Sequence, residues 1–420
     1  LSISGSPENY GISVPGYGAY VVTNENAYTC RVSLVSTNSA ADTTCTCTGG
    51  VMSVTHGTAS NTPFAGNEYT YNHSGDDVAE LTWLFVRQFK ISCTPTAGGA
   101  GGVTERWVTE GENTTFTAPE ADQGYAFSRW IGDIPDYVDA SQSMITVTAD
   151  QPRVLVPVFI TTFHVSPDGD DENDGFSWAT AFKTIPRAVT NTVVGDTVYV
   201  TNGVYATFAA DKTYVDITAG ITLRSMEGPE HTVISNSFGD SYSATLVNIS
   251  CPGATLDGFT ITKAKALSVS ITEASIMTNC VVRDRGVWNG NGNVWLNGGA
   301  VVTGCSIINN GSYGNYSGGA LYVEGKCTVD NCIIARNFST GNGCLIYLLS
   351  TYGGTAWQSL FRNCLIADNH SAFGSVLFAH GGGTYENCTI AGNSIGGIKI
   401  YDNSPTLKNC IIAGNTNAAG

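Results

Sequence analysis

One seven-residue pattern returns six times in the C-terminal part of the chain: NCVVRDR (279–285), GCSIINN (304–310), NCIIARN (331–337), NCLIADN (363–369), NCTIAGN (387–393) and NCIIAGN (409–415). The copies stand 22 to 32 residues apart, each with a cysteine in its second position. A motif that recurs about once per 20–50 residues marks a stack of repeats, each too small to bury its apolar face alone. Within the heptad, Cys332 and Ile334, Cys364 and Ile366, and Cys388 and Ile390 alternate with their neighbours. Period two means strand. Equivalent strands of successive units must then pair in parallel. Coils of this length hold about three short strands each, which predicts an all-β fold, a right-handed parallel β-helix.

The fifth residue after each cysteine is asparagine in five copies, at Asn310, Asn337, Asn369, Asn393 and Asn415. Asparagine tolerates a left-handed bend, so these residues are expected to form the corner between strands. Their amides are also expected to hydrogen-bond up and down the stack. A second motif precedes the later heptads: GGAV (298–301), GGAL (318–321), GCLI (343–346), GSVL (374–377) and GGIK (396–399). It reads as a glycine turn entering another strand, and loops of variable length between the two motifs account for the uneven spacing. Cys280, Cys305, Cys332, Cys364, Cys388 and Cys410 then form an inward column of free thiols that pack as small hydrophobes. Stacked side chains pointing one way do not reach disulfide torsions easily. Cys30, Cys45 and Cys47 lie outside the repeats, where a disulfide from Cys30 to Cys45 or Cys47 is expected. Cys-Thr-Cys is too short a spacing for a zinc pair.

Three parts follow from the pattern: a small β-rich, sandwich-like module over 1–86, a second β module over 87–160, and the β-helix over 161–420. The stretch FHVSPDGDDENDGFSWATAFKTIPRAVTNTVVGDTVYVTNGVYA (163–206) resembles the entry segment of pectate-lyase-like β-helix proteins. The resemblance implies a first strand at Phe163–Val165, an acidic loop, a capping helix near Thr184–Thr192 and a strand at Thr197–Val200. The GG-A-[LV] and Ile-x-x-Asn repeats resemble the passengers of polymorphic outer-membrane proteins, with Ile334, Ile366, Ile390 and Ile412 where that family has Phe. TERWVTEGENTTFTAPEADQGYAFSRWIGD (104–133) with ITVTADQPRVLVPVF (145–159) resembles the divergent InlB B-repeat, which implies a spacer in a surface protein rather than a catalyst.

Charged residues make up only 13% of the chain and the net charge is −16, with no basic stripe. Nucleic acid is therefore excluded as a partner. Acidic polysaccharides would need a bridging cation. No 18-residue apolar run codes a membrane span. Low charge with abundant Gly, Asn and Thr points to an exported bacterial surface protein. A start at Leu1 and a stop within a repeat at Gly420 suggest a piece of a longer protein.

Several residues are candidates for chemistry. In PDGDDENDG (167–175), Asp168, Asp170 and Asp174 alternate and are candidate calcium ligands, set against a solvated Asp/Asn turn. Arg283, Asp284 and Arg285, with Lys263 and Lys265 about one coil earlier, are the candidate cluster for a polysaccharide lyase, set against an exposed ion pair. No two carboxylates occupy one slot of adjacent coils as a glycosidase needs. Trp288, Tyr313, Tyr316, Phe338 and Phe373 follow the Asn corners and are candidate sugar- or protein-binding aromatics. The residues after each cysteine, Val281, Ser306, Ile333, Leu365, Thr389 and Ile411, are expected to face outward as an apolar docking stripe. The reading is an exported surface β-helix acting in adhesion or extracellular assembly, on polysaccharide, a neighbouring cell-surface protein or a second copy, with no required cofactor. The alternative is a β-helix polysaccharide lyase or glycoside hydrolase.

Overall fold

The computed structural model describes residues 1–23, 26–56, 58–207, 213–236, 245–264, 267–284, 286–287, 293–312, 319–339, 345–349, 359–371, 377–379, 382–394, 398–400 and 405–416. Two compact units divide the chain, Leu1–Phe159 and Ile160–Gly420.

The first unit holds two separate cores. One gathers Ile3, Cys30, Cys45, Cys47, Met52, Leu81 and Trp83. The other gathers Phe89, Ile91, Val108, Phe116, Trp130, Val147 and Leu155. A single strand, Val78–Cys93, contributes to both, so the expected boundary between residues 86 and 87 falls inside it. Its length explains how it does so: on one face of this 16-residue strand Ala79, Leu81, Trp83 and Phe85 enter the first core, and further along Phe89, Ile91 and Cys93 enter the second. The expected disulfide is absent. Cys30, Cys45 and Cys47 are all free and buried among apolar neighbours, where a thiol packs as a small hydrophobe.

The second unit is a stack of coils. Its three main faces are parallel sheets. The first face carries Thr197–Val200, Thr222–Ser225, Thr255–Asp257, Ile276–Thr278, Val301–Thr303, Thr328–Asp330, Leu360–Arg362, Thr384–Glu386 and Thr406–Lys408. The second carries the heptad strands, among them Val281–Arg283, Ser306–Ile308, Ile333–Ala335, Leu365–Ala367 and Thr389–Ala391. The third carries Val294–Leu296 and the strands Leu321–Glu324 and Ile346–Leu349, which follow the glycine motif, whereas GGAV (298–301) leads into Val301–Thr303 on the first face. One continuous core of aliphatic side chains and thiols runs through the stack. The entry helix, Ile185–Thr190, is capped by the Thr184 hydroxyl, which accepts from the Arg187 N–H. It buries Ile185, Ala188 and Val189 in the core, against the strands Val215–Ile217 and Thr197–Val200.

Heptad chemistry is visible coil by coil. Cys280, Cys305, Cys332, Cys364 and Cys388 are buried, free, and point inward as a column. Each thiol donates to a carbonyl of the coil before it, as Cys364 Sγ does to Val329 O at 3.4 Å. The corner differs from expectation by one residue. The left-handed φ belongs to Asp284, Asn309, Arg336, Asp368, Gly392 and Gly414, immediately before the asparagine column. The asparagines Asn310, Asn337, Asn369 and Asn393 turn inward and are buried. The reason is hydrogen bonding: Asn337 Nδ2 donates to Ile307 O at 2.8 Å and to Asn369 Oδ1 at 3.1 Å, and that same Oδ1 accepts from the Asn337 N–H at 3.0 Å. The same bonds repeat from Asn310 to Asn337, from Asn369 to Asn393 and from Asn393 to Asn415. A second left-handed column opens the heptad, at Asn279, Gly304, Asn331, Asn363, Asn387 and Asn409.

Candidate functional site

The third face brings together side chains that were not among the sequence candidates. Val294, Leu296, Leu321, Val323, Ile346 and Leu348 are buried, so the pleat turns the residue between each pair outward. Those residues are Trp295, Tyr322 and Tyr347, and they lie in register, Trp295 opposite Tyr322 and Tyr322 opposite Tyr347. Coils repeat at about 4.8 Å in the hydrogen-bonding direction, so the rings form a column along the helix axis. Tyr322 and Tyr347 stack with ring centroids 5.2 Å apart and planes 19° apart. Leu267, Trp295, Tyr322 and Glu324 line a cleft of about 280 Å³ beside this column.

Glu324 ends its strand on the rim of this cleft. Its Oε2 accepts from Trp295 Nε1 at 3.2 Å and from Asn297 Nδ2 at 3.5 Å. The two donors come from the neighbouring coil, so the carboxylate and the indole hold each other in place. An aromatic wall with a fixed acceptor is suited to a ring-shaped ligand that presents C–H groups to the wall and a donor to the carboxylate. The signal for this site was in the sequence. Val294-Trp295-Leu296, Leu321-Tyr322-Val323 and Ile346-Tyr347-Leu348 each place an aromatic residue between two aliphatic ones, the last two just after the glycine motif.

The sequence-predicted candidates fall elsewhere. Lys265, Arg285, Trp288, Tyr313, Tyr316 and Phe373 lie outside the described residues. Arg283 pairs with its neighbour Asp284 at 2.5 Å, and both side chains are 45% exposed. Thr262 is in register with Arg283, which places exposed Lys263 one coil before Asp284, in the same left-handed corner slot. Among the described residues the basic cluster is thus an exposed Arg–Asp pair with a lysine one coil away, an arrangement of small energetic weight. Phe338 sits on a short strand in register with Gly311 rather than on a loop, and its ring covers that glycine so closely that a Cβ there would collide with it.

In the acidic loop the carboxylates serve the local backbone. Asp170 Oδ1 accepts from the Glu172 N–H at 3.1 Å, and Asp174 Oδ1 from the Phe176 N–H at 3.0 Å. Hydrogen bonds from Thr180 and from the Phe176 N–H hold the Asp174 carboxyl below its ordinary range. Asp171 takes the N–H groups of Lys183 and Thr184 and so anchors the start of the entry helix. Asp168 is exposed. Among the described residues no three His, Cys, Asp or Glu side chains converge as a metal site. Of the residues after the cysteines, Ile333, Leu365 and Ile411 are exposed, and Ser306 and Thr389 interrupt the expected apolar stripe. Among the described residues no helix is long and apolar enough to cross a membrane.

Comparison with known proteins bears on the fold. The family described as "Right handed beta helix region" matches residues 320–420, and the "Divergent InlB B-repeat domain" matches residues 89–161. No curated protein matches the chain. Among solved structures, a pectate lyase is 13% identical with a TM-score of 0.42, covering 61% of this chain and 78% of its own. A rhamnogalacturonan lyase is 13% identical with a TM-score of 0.35, covering 56% of this chain and 74% of its own. A pectin methylesterase from Erwinia chrysanthemi is 15% identical with a TM-score of 0.37, covering 57% of this chain and 80% of its own. With the family matches and the parallel pairing of its coils, the chain is an all-β protein in which a divergent InlB B-repeat precedes a right-handed parallel β-helix.

Proposed function

We propose that this chain is the displayed, glycan-binding part of an exported surface protein, with adhesion or extracellular assembly as its role. The observation that carries the reading is the cleft lined by Trp295, Tyr322 and Glu324. It is small, at about 280 Å³, and suits one sugar ring rather than a large ligand. A B-repeat ahead of the β-helix supports the display role, because spacer modules carry binding surfaces away from their anchor. The lyase alternative relies on Arg283, Arg285 and Lys263, and the exposed Arg283–Asp284 pair lends it little support.

The test is binding of neutral, amino-bearing and acidic oligosaccharides, with and without calcium, followed by tryptophan fluorescence and calorimetry. The expected result is saturable binding that Trp295→Ala weakens about tenfold, which corresponds to about 1.4 kcal/mol. Binding unaffected by Trp295→Ala would remove the cleft from the function. The same mixtures are read for the ultraviolet absorbance of a newly formed conjugated double bond. A rise in that absorbance that vanishes in Arg283→Ala would replace adhesion by the lyase reading.

A further inference from the structure

We infer that the cleft selects a sugar unit carrying a free, protonated amino group; this rests on the glycan-binding reading above. The inference comes from the charge of the lining. Among the described lining residues, Leu267, Trp295, Tyr322 and Glu324, Glu324 is the one carboxylate and none is basic. Its Oε2 holds both hydrogen bonds, from Trp295 Nε1 and Asn297 Nδ2, and no described residue donates to Oε1. No described lysine or arginine forms an ion pair with it, unlike Asp257, Asp330 and Glu386 on the first face, which are each paired across coils.

Among the described residues the cleft therefore presents one negative charge with no cation paired to it, beside two electron-rich rings. Ring faces and carboxylate both attract an ammonium group. A uronate placed there would set two carboxylates close together with no described cation between them, in a chain whose net charge is already −16. An N-acetylated sugar keeps the ring contact and loses the charge. The geometry thus ranks ligands in the order amino sugar, N-acetylated sugar, uronate.

The experiment uses the full chain and three matched trisaccharides, of glucosamine, of N-acetylglucosamine and of galacturonate, at one ionic strength near pH 6. Binding is measured by calorimetry and by tryptophan fluorescence. The glucosamine trimer is expected to bind about tenfold tighter than the N-acetylated trimer, the size of an exposed cation–π contact and ion pair together. Glu324→Gln retains an acceptor for Trp295, so it is expected to reduce that preference to about threefold or less. Trp295→Ala is expected to weaken both, with circular dichroism and the melting midpoint confirming that each variant is folded. Equal affinity for the two trimers, or a preference that survives Glu324→Gln, overturns the amino-sugar inference and leaves glycan binding standing. No binding of any trimer, or binding indifferent to Trp295→Ala, overturns the underlying reading itself.

Discussion

Asn337 is a single buried side chain that closes four hydrogen bonds. Its amide serves Ile307 O and Asn369 Oδ1, and its own Oδ1 accepts from the N–H and Nδ2 of Asn310. Removing the amide leaves the Asn310 N–H and the Ile307 carbonyl buried without those partners. Asn337→Ala is expected to lower unfolding stability by roughly 2–4 kcal/mol, read from the denaturant midpoint. Asn363 provides the contrast. It is exposed, has φ of 55°, and its side chain makes two surface bonds, Nδ2 donating to Asp330 Oδ1 at 3.1 Å and Oδ1 accepting from Asn387 Nδ2 at 3.3 Å. Glycine adopts that backbone without cost, so Asn363→Gly is expected to change stability by less than about 0.5 kcal/mol. Equal losses at the two positions would mean that the asparagine column does no more than fill a turn. The ladder has a visible lower end: Asn310 Oδ1 has no donor among the described residues, and the slot before it is Arg285, outside them. The same pair of positions shows what could be read from sequence. The asparagine column was legible because its residue type is constant. The left-handed slot beside it holds Asp, Asn, Arg and Gly in turn, and that variety hid it.

At the scale of the element, the first face carries a second ladder, built from charge. Asp330 and Arg362 are in register on adjacent strands and pair at 2.6 Å, and Glu386 and Lys408 pair at 2.9 Å two and three coils further along. The hydrogen bond from the Arg362 guanidinium holds the Asp330 carboxyl below its ordinary range. The sign of the effect follows by linkage. A carboxylate whose folded pKa is depressed contributes stability that is present above its unfolded value of about 3.9 and lost as the pH falls through the folded one. Asp330→Asn is therefore expected to melt below the wild type at neutral pH, with a gap that narrows as the pH falls below about 4 and as salt is added. A gap independent of pH would assign the loss to packing. Strand type and pairing were legible here from the alternation; the entry helix was expected from the resemblance of 163–206 to β-helix entry segments, and Thr184 caps its start. The aromatic column was not, although each of its members stands in a readable aliphatic–aromatic–aliphatic triplet. Whether triplets from different coils meet depends on register, and the intervening loops differ in length, so spacing along the chain does not give it. The sequence reading instead placed the binding aromatics on loops after the Asn corner, where Phe338 proves to pack down on Gly311.

At the scale of the molecule, the β-helix is one core repeated, with each coil bonded to the coils on either side of it. Cys332–Asn363 is one whole turn of this stack, running from one heptad cysteine to the residue before the next. Joining Asn331 to Cys364 restores the heptad opening Asn-Cys and brings Ile366 to the position of Ile334, and Asn369 to that of Asn337, because these residues are already paired across the missing coil. A solenoid stabilised by nearest-neighbour terms tolerates such a deletion. The shortened protein is expected to retain the β-sheet circular dichroism of the parent, per residue, and to unfold cooperatively at a lower denaturant midpoint. Binding gives an independent check. The deletion removes Tyr347 but keeps Leu267, Trp295, Tyr322 and Glu324, and it places the strand Leu377–Ala379 beside Leu321–Glu324. Oligosaccharide affinity is then expected to stay within about threefold of the parent, since the cleft walls and its carboxylate come from coils before the cut. A folded protein that no longer binds would move the site outward to Tyr347 and the coils beyond it. A protein that does not fold would show that this stack depends on contacts longer in range than one coil to the next.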